Sequence, residues 1–343
     1  MMRKNTLRTV AALGAAGLVL AACSSGTADD SATGAGAGES VTWRLALNQT
    51  EDHPLTIAVE NFADRVAERT DGRLEIQIFP NETLGAQQET LQLVMDDTLD
   101  AAIVSGPQLE NINEDFLVFN LPLVFDDIEH QMSVVNDEEI VGELYSSLEE
   151  SSNVSVLGAF TAGDRNIYTV DKPVLTPADM AGMKIRVQES ETHLAMIELM
   201  GGSPTPMSFG EVYTALQGGV LDGAENNEVS YVTQKHFEVA KYFSYTRHLI
   251  VPDYLVTSTA ALEELSEEDR AVFDEEFDAA VTEQVELWAA STEEAIAEAE
   301  AAGVEFNEVD TQAFADAIAP LVDESLTSEL ARKVYDDTRA AAQ

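Results

Sequence analysis

Val41, Trp43, Leu45 and Leu47 alternate with polar neighbours, a period-two pattern that predicts a strand. Beyond "NQTEDHP", Leu55, Val59, Phe62 and Val66 recur at helical spacing until Gly72 stops the helix. Leu74, Ile76 and Ile78 alternate again, Pro80 ends that strand, a helix follows near 86–97, and the apolar run "AAIVS" at 101–105 reads as a third strand. This β-α-β-α-β order predicts an α/β lobe with a mainly parallel sheet. Ligands on such sheets sit at the carboxyl ends of the strands, which here read "NQT", "NET" and "SGP".

The alternation resumes at 154–160, 165–170 and 183–187, with helical spacing near 190–200, 208–218 and 228–240, so a second α/β lobe is expected. From Ser266, placed to cap with Asp269, helical pattern runs to Ala302 with no Pro or Gly inside. At ~1.5 Å per residue such a helix is roughly 54 Å long, more than one lobe requires, and is expected to span both.

The first residues stand apart from this pattern. Arg3, Lys4 and Arg8 precede an apolar run from Val10 to Leu20 that closes at "LAAC", too short for a stable bilayer span and read as a secretory signal over residues 1–22. The "LAAC" ending resembles a bacterial lipobox, which implies lipidation of Cys23 and an extracytoplasmic, membrane-anchored protein; the alternative is an ordinary signal with an incidental cysteine. Residues 23–40 are small, polar and glycine-rich, a flexible tether, and "GAGAGE" within them lacks the last glycine and the preceding strand of a nucleotide loop. Cys23 is the single cysteine, so disulfides and thiolate metal clusters are excluded.

Charge narrows the chemistry. With 63 Asp plus Glu against 18 Lys plus Arg, a net charge of −45, the chain is no nucleic-acid binder. It has no Lys or Arg between Leu74 and Asp164 and none between Ala271 and Ala331, whereas seven basic residues fall between Arg165 and Arg247. Arg165 and Arg186 lie on predicted strands or their ends, where a guanidinium fork can take a carboxylate bidentately. The alternative for each is a pair with an internal carboxylate that ties strand to helix, and Asp164 is a ready partner for Arg165. No G-x-S-x-G elbow, HExxH, EF-hand or P-loop spacing is present, so no enzyme, metal site or cofactor is expected.

The segment "GMKIRVQESETHLAMIELMGGSPTPMSFGEVYTALQGGVLDGAENN", 182–227, closely resembles the signature region of the extracytoplasmic binding proteins of TRAP (tripartite ATP-independent periplasmic) transporters, the DctP-like family. "GRLEIQIFPNETLG", "LPLVF" and "HFEVAKYF" extend the resemblance across the chain. It implies an α/β, two-lobed periplasmic-binding-protein-like fold (type II-like) with hinge strands and a long helix spanning both lobes. Lobe one would comprise 41–161 plus 252–291, and lobe two 162–251 plus 292–343. It further implies a monomer that closes without catalysis on an organic acid and delivers it to membrane permease subunits.

By the same resemblance Arg186 anchors the ligand carboxylate, Arg165 is a second ligand in sugar-acid binders, and Asn226, Phe209, Asn48 and Glu89 are further contacts. Phe209 also fits a helical core stripe with Val212 and Leu216. Glu225 either faces a ligand hydroxyl or caps the following helix, His53 is a helix-start residue or a contact, and Gln188 and Tyr231 are further candidates. The motifs look most like the uronate-binding branch. Alternatives are a C4-dicarboxylate or other small carboxylate, which would favour two cationic ends and few acidic walls, or an ATP-driven importer as the partner.

Overall fold

A computed structural model describes residues 40–342. The expected signal, the tether and Cys23 lie outside the described residues, except for Ser40. Among the described residues no helix is long and apolar enough to cross a membrane.

The first strands form where the alternation placed them: β1 (Val41–Ala46), β2 (Leu74–Phe79) and β3 (Ala101–Ser105), joined through α1 (Pro54–Arg69) and α2 (Gln87–Met95). β1 runs parallel to both β2 and β3. The short helix α3 (Gly106–Glu110) leaves the end of β3, and α4 (Ile128–Val135) and α5 (Glu138–Ser152) lead to β4 (Val154–Thr169). β4 is one strand of 16 residues where two were expected. Its register shifts at Gly158 and between Thr161 and Asp164 break the alternation that would have marked it as continuous. Gly163 sits in the second irregularity at φ +63°, and a Cβ there would lie 2.6 Å from the Trp288 ring, so the position demands glycine.

The second group repeats the parallel scheme with β5 (Lys184–Val187), α6 (Glu191–Leu199), β6 (Ser203–Pro206), α7 (Val212–Gln217) and β7 (Gly223–Asn226). β5 pairs in parallel with β6 and β7. The helix expected over 228–240 stops after α8 (Glu228–Thr233), because Lys235 takes up the left-handed conformation at φ +60° and a single 3-10 turn follows. Then β8 (Tyr242–Ser258), 17 residues long, returns across the molecule. The chain ends with α9 (Thr259–Glu263), α10 (Glu267–Ala301), β9 (Glu305–Glu308), α11 (Thr311–Ile318), α12 (Pro320–Ser325) and α13 (Glu329–Ala341).

All nine strands among the described residues lie in one sheet of order β2-β1-β3-β8-β4-β7-β5-β6, with β9 beside β8. The sheet is mixed where a mainly parallel one was expected: β8 is antiparallel to β3 and β4, and β4 antiparallel to β7. The long antiparallel pair β4/β8 thus joins two parallel ends. The end carrying β1 and β2 packs Trp43, Leu55, Phe62 and Leu74 against Phe273, Phe277 and Ala280 of α10. The other end packs Phe209, Tyr231 and Phe243 against Trp288, Ala295 and Ala299 of the same helix. The 35-residue α10 is therefore the expected spine. Arg65, Arg69 and Arg73 fasten its first half to α1 and β2 through Glu276, Glu283, Glu275 and Asp269 at 2.6–2.9 Å. A third cluster, running from Leu91 and Phe119 to Ile185 and Met196, is common to both ends. One expectation fails here: residues from 329 were placed with the second end, yet α13 packs on α5, α4 and the turn 114–120.

Candidate functional site

The carboxyl ends of the strands converge on a cavity of about 480 Å³, a figure that includes its open mouth. From the first end come Asn48 and Gln49 after β1, Glu82 after β2, Gln87 on α2, Ser105 closing β3 and Gln108 on α3. From the second end come Arg186 and Gln188 at β5, Ser208 and Phe209 after β6, and Asn226 closing β7. Arg165 of β4 and Asp253 of β8 line it from the crossing pair. The strand-end rule therefore located the cavity, since "NQT", "NET" and "SGP" each supply a wall residue.

The two arginines, both almost wholly buried, behave differently. Arg165 is committed to Glu225: its Nε and Nη2 donate to the two carboxylate oxygens, Nη2 at 2.7 Å, and Nη2 also donates to the Glu225 carbonyl at 3.0 Å. Its Nη1 donates to Asn226 Oδ1 at 3.0 Å. Burial alone would raise the Glu225 carboxyl, but Arg165 overrides it and holds that group well below the usual carboxylate range. His248 Nε2, at 3.8 Å from Glu225 Oε2, is too distant for a hydrogen bond. The internal pair foreseen for Arg165 thus exists, with Glu225 rather than the neighbouring Asp164.

Arg186 has no such partner among the described residues. Its Nε and Nη2 donate to the Met207 carbonyl at 2.9 and 2.7 Å, and its guanidinium stands 5.6 Å from the centre of the Phe209 ring. Burial pulls its pKa down, and the more distant Glu225 offsets this only in part. A guanidinium 4 % exposed, hydrogen-bonded to one neutral carbonyl and facing a cavity, holds a positive charge with no direct counter-ion.

Asn226 uses its Oδ1 to accept from Arg165 and from the backbone N–H and amide of Asn227, which leaves its own amide nitrogen for the cavity. Phe209 resolves the earlier alternatives by serving both: 7 % exposed, it belongs to the core at the second end and lines the cavity.

Four expected contacts lie elsewhere. Glu89 turns back to the start of α2, where its carboxylate accepts from the Ala86 N–H at 3.1 Å. Glu225 stands behind Arg165, outside the lining. Tyr231 is buried among Tyr168, Phe237 and Phe243 and donates its hydroxyl to the Ala240 carbonyl. His53 caps α1, its Nδ1 accepting from the Leu55 N–H, and its Nε2 lies 3.2 Å from Ser230 Oγ on the opposite end of the sheet. Burial lowers the His53 pKa to about 3, so it is neutral at physiological pH. Asp253 was missed because it sits within the apolar run of β8, and burial raises its carboxyl to about 6 despite the partial offset from Arg165.

Further hydrogen bonds close the cavity rim. Glu82 accepts from the Gly210 N–H at 3.0 Å and Asn111 donates to the Glu189 carbonyl at 2.7 Å. Glu110 on α3 accepts from Ser190 and Thr192 hydroxyls at 2.9 and 2.8 Å. Among the described residues no acidic, histidine or cysteine cluster is arranged to hold a metal ion.

Comparison with known proteins agrees with this arrangement. Residues 45–329 match the family model DctP, bacterial extracellular solute-binding protein, family 7. A solute-binding protein of Chromohalobacter salexigens is 37 % identical over 284 residues, 82 % of this chain and 84 % of that protein. The crystal structure of a TRAP periplasmic solute-binding protein from Anaerococcus prevotii with bound D-glucuronate superposes with a TM-score of 0.85 at 39 % identity, covering 88 % of this chain and 97 % of the other. One from Xanthobacter autotrophicus with bound β-D-galacturonate gives 0.83 at 30 % identity over 87 % and 99 %. With its fold, its cavity at the strand ends and the match across most of its length, this chain belongs to the family 7 bacterial extracellular solute-binding proteins.

Proposed function

We propose that this protein is the extracytoplasmic solute-binding component of a TRAP transporter and that it captures a uronate, closing its two ends around the sugar acid and passing it to membrane permease subunits. The observation that carries this reading is Arg186, a buried cation without a carboxylate partner that faces a polar cavity. A ligand carboxylate completes it as a charge-assisted pair at low effective dielectric. Asn226 donates beside it, and Phe209 offers an apolar face to ring carbons. Relatives of the same fold hold glucuronate or galacturonate. The acidic residues around the cavity, Glu82, Glu189 and Asp253, suit hydroxyls and oppose a second carboxylate.

In this reading residues 41–161 with 252–291 form one lobe and 162–251 with 292–328 the other, the break between Thr161 and Asp164 opposite Pro252 and Ile250 being the hinge. The protein works as a monomer without catalysis, anchored to the membrane by a lipid on Cys23. Thermal-shift titration tests it: D-glucuronate or D-galacturonate at 100 times Kd adds about 2.7 kcal/mol of stability, whereas succinate adds little. No stabilisation by any sugar acid would sink the assignment.

A further inference from the structure

The cavity has two chemically unlike walls. The wall of β5 and β7 presents donors, namely the Arg186 guanidinium and the amide nitrogen left free on Asn226. The wall that follows β1 and carries α2 and α3 presents mostly acceptors: Asn48 Oδ1, Gln49 Oε1 and Gln108 Oε1 are buried without a protein partner, beside one donor in the same state, Gln87 Nε2. Buried polar atoms without partners are rare in folded proteins and costly, so four in one cavity point to ligand groups that complete them. Asp253 stands on β8 in register with Ser105 of β3 and Phe160 of β4, at the seam between the walls and only 4 % exposed. Arg165, the cation whose charge partly offsets its burial, is already committed to both oxygens of Glu225. The Asp253 carboxylate is thus an acceptor with an incompletely compensated charge.

We propose that Asp253 is the residue that sets ligand class: it accepts hydrogen bonds from hydroxyls at the uncharged end of a sugar acid and repels any acid with a second carboxylate there. The proposal rests on the uronate reading and deepens it. An ionised carboxylate can only accept, so it rewards hydroxyl donors, and a second anion meets like charge in a water-poor cavity. Of the three cavity acids Glu82 and Glu189 are only partly buried, so selectivity between a monocarboxylate sugar and a dicarboxylate falls chiefly to Asp253 on the crossing strand, remote in sequence from the Arg186 motif.

The test compares D-glucuronate with D-glucarate, its diacid, and with succinate, by isothermal titration of wild type, Asp253→Asn and Asp253→Ser at pH 7.5. Wild-type titration with D-glucuronate alone judges the uronate reading, and absence of binding there overturns both. Given binding, the ratio of affinities for D-glucuronate over D-glucarate is expected to fall at least ~100-fold in Asp253→Asn, through weaker uronate and stronger diacid binding. An unchanged ratio, or equal weakening of both acids, overturns the role of Asp253 while leaving the uronate reading in place. Asparagine keeps the shape and removes a buried charge, so ligand-free melting at or above wild type is expected; should that variant unfold, Asp253→Ser is read in the same way.

Discussion

Replacing each buried arginine by methionine should give opposite signatures. In Arg165→Met the carboxylate of Glu225, with no exposed side-chain surface, loses both of its guanidinium donors and stays inside the protein. Removing one partner of a buried pair costs about 3–5 kcal/mol. An unfolding entropy of ~2.1 cal/mol/K per residue over ~300 residues is ~0.6 kcal/mol per degree, so ligand-free Arg165→Met should melt ~5–8 °C below wild type. Arg186→Met instead removes a buried cation that no carboxylate neutralises. What is lost is two donors to a single carbonyl, that of Met207. An orphaned carbonyl costs ~1–3 kcal/mol, and relief from burying an unpaired charge offsets it, so ligand-free Arg186→Met should melt within ~2 °C of wild type. Its binding should collapse, because cutting one side of a buried charge pair costs about 2–5 kcal/mol, or ~30- to ~5,000-fold in Kd. Calorimetric melting of protein freed of ligand by unfolding and refolding, followed by titration with D-glucuronate, measures both quantities. Arg186→Met melting lower than Arg165→Met while still binding the sugar acid would refute the assignment of anchor and strut.

Two further outcomes are expected. Burial raises the Glu228 carboxyl to about 7, so its neutral form is favoured in the fold: the stability it contributes is full below the unfolded value near 4.5 and is lost as pH rises through about 7. Glu228→Gln should therefore melt a few degrees above wild type at pH 8 and no differently at pH 4, and equal melting at both would contradict the shift. Glu110→Ala removes the acceptor for Ser190 and Thr192 across the rim without touching the cavity lining. It should weaken D-glucuronate binding ~10-fold through faster release, seen by stopped-flow, and an unaltered release rate would show that these bonds do not hold the closed form.

What could be read from the sequence was whatever depends on local period. The alternation at Trp43 and Leu45, the stop at Gly72 and the cap at Ser266 all gave elements within a residue or two of those found. The strand-end rule even named the tripeptides that line the cavity. What depends on pairing across the sheet was hidden. Glu225 lies 60 residues from Arg165, so spacing could not show that the two neutralise each other and leave Arg186 alone. Glu89 was expected as a contact from the family resemblance, but capping the orphan N–H of Ala86 claims it first. Asp253 sits inside "LIVPDYLV", and only the neighbouring strands reveal that this aspartate faces the cavity.

The route of β4, β8 and α10 has a consequence for how such a protein can be altered. Each end of the sheet is assembled from at least two separated stretches of chain, and a shared cluster from Leu91 to Met196 joins them. No single cut in the gene frees one end with its core intact. Exchanging a whole half between two such proteins would need several simultaneous junctions, each inside a paired strand or the spine helix. A new ligand is reached more readily by single substitutions at strand ends, where side chains face the cavity and the backbone register is untouched.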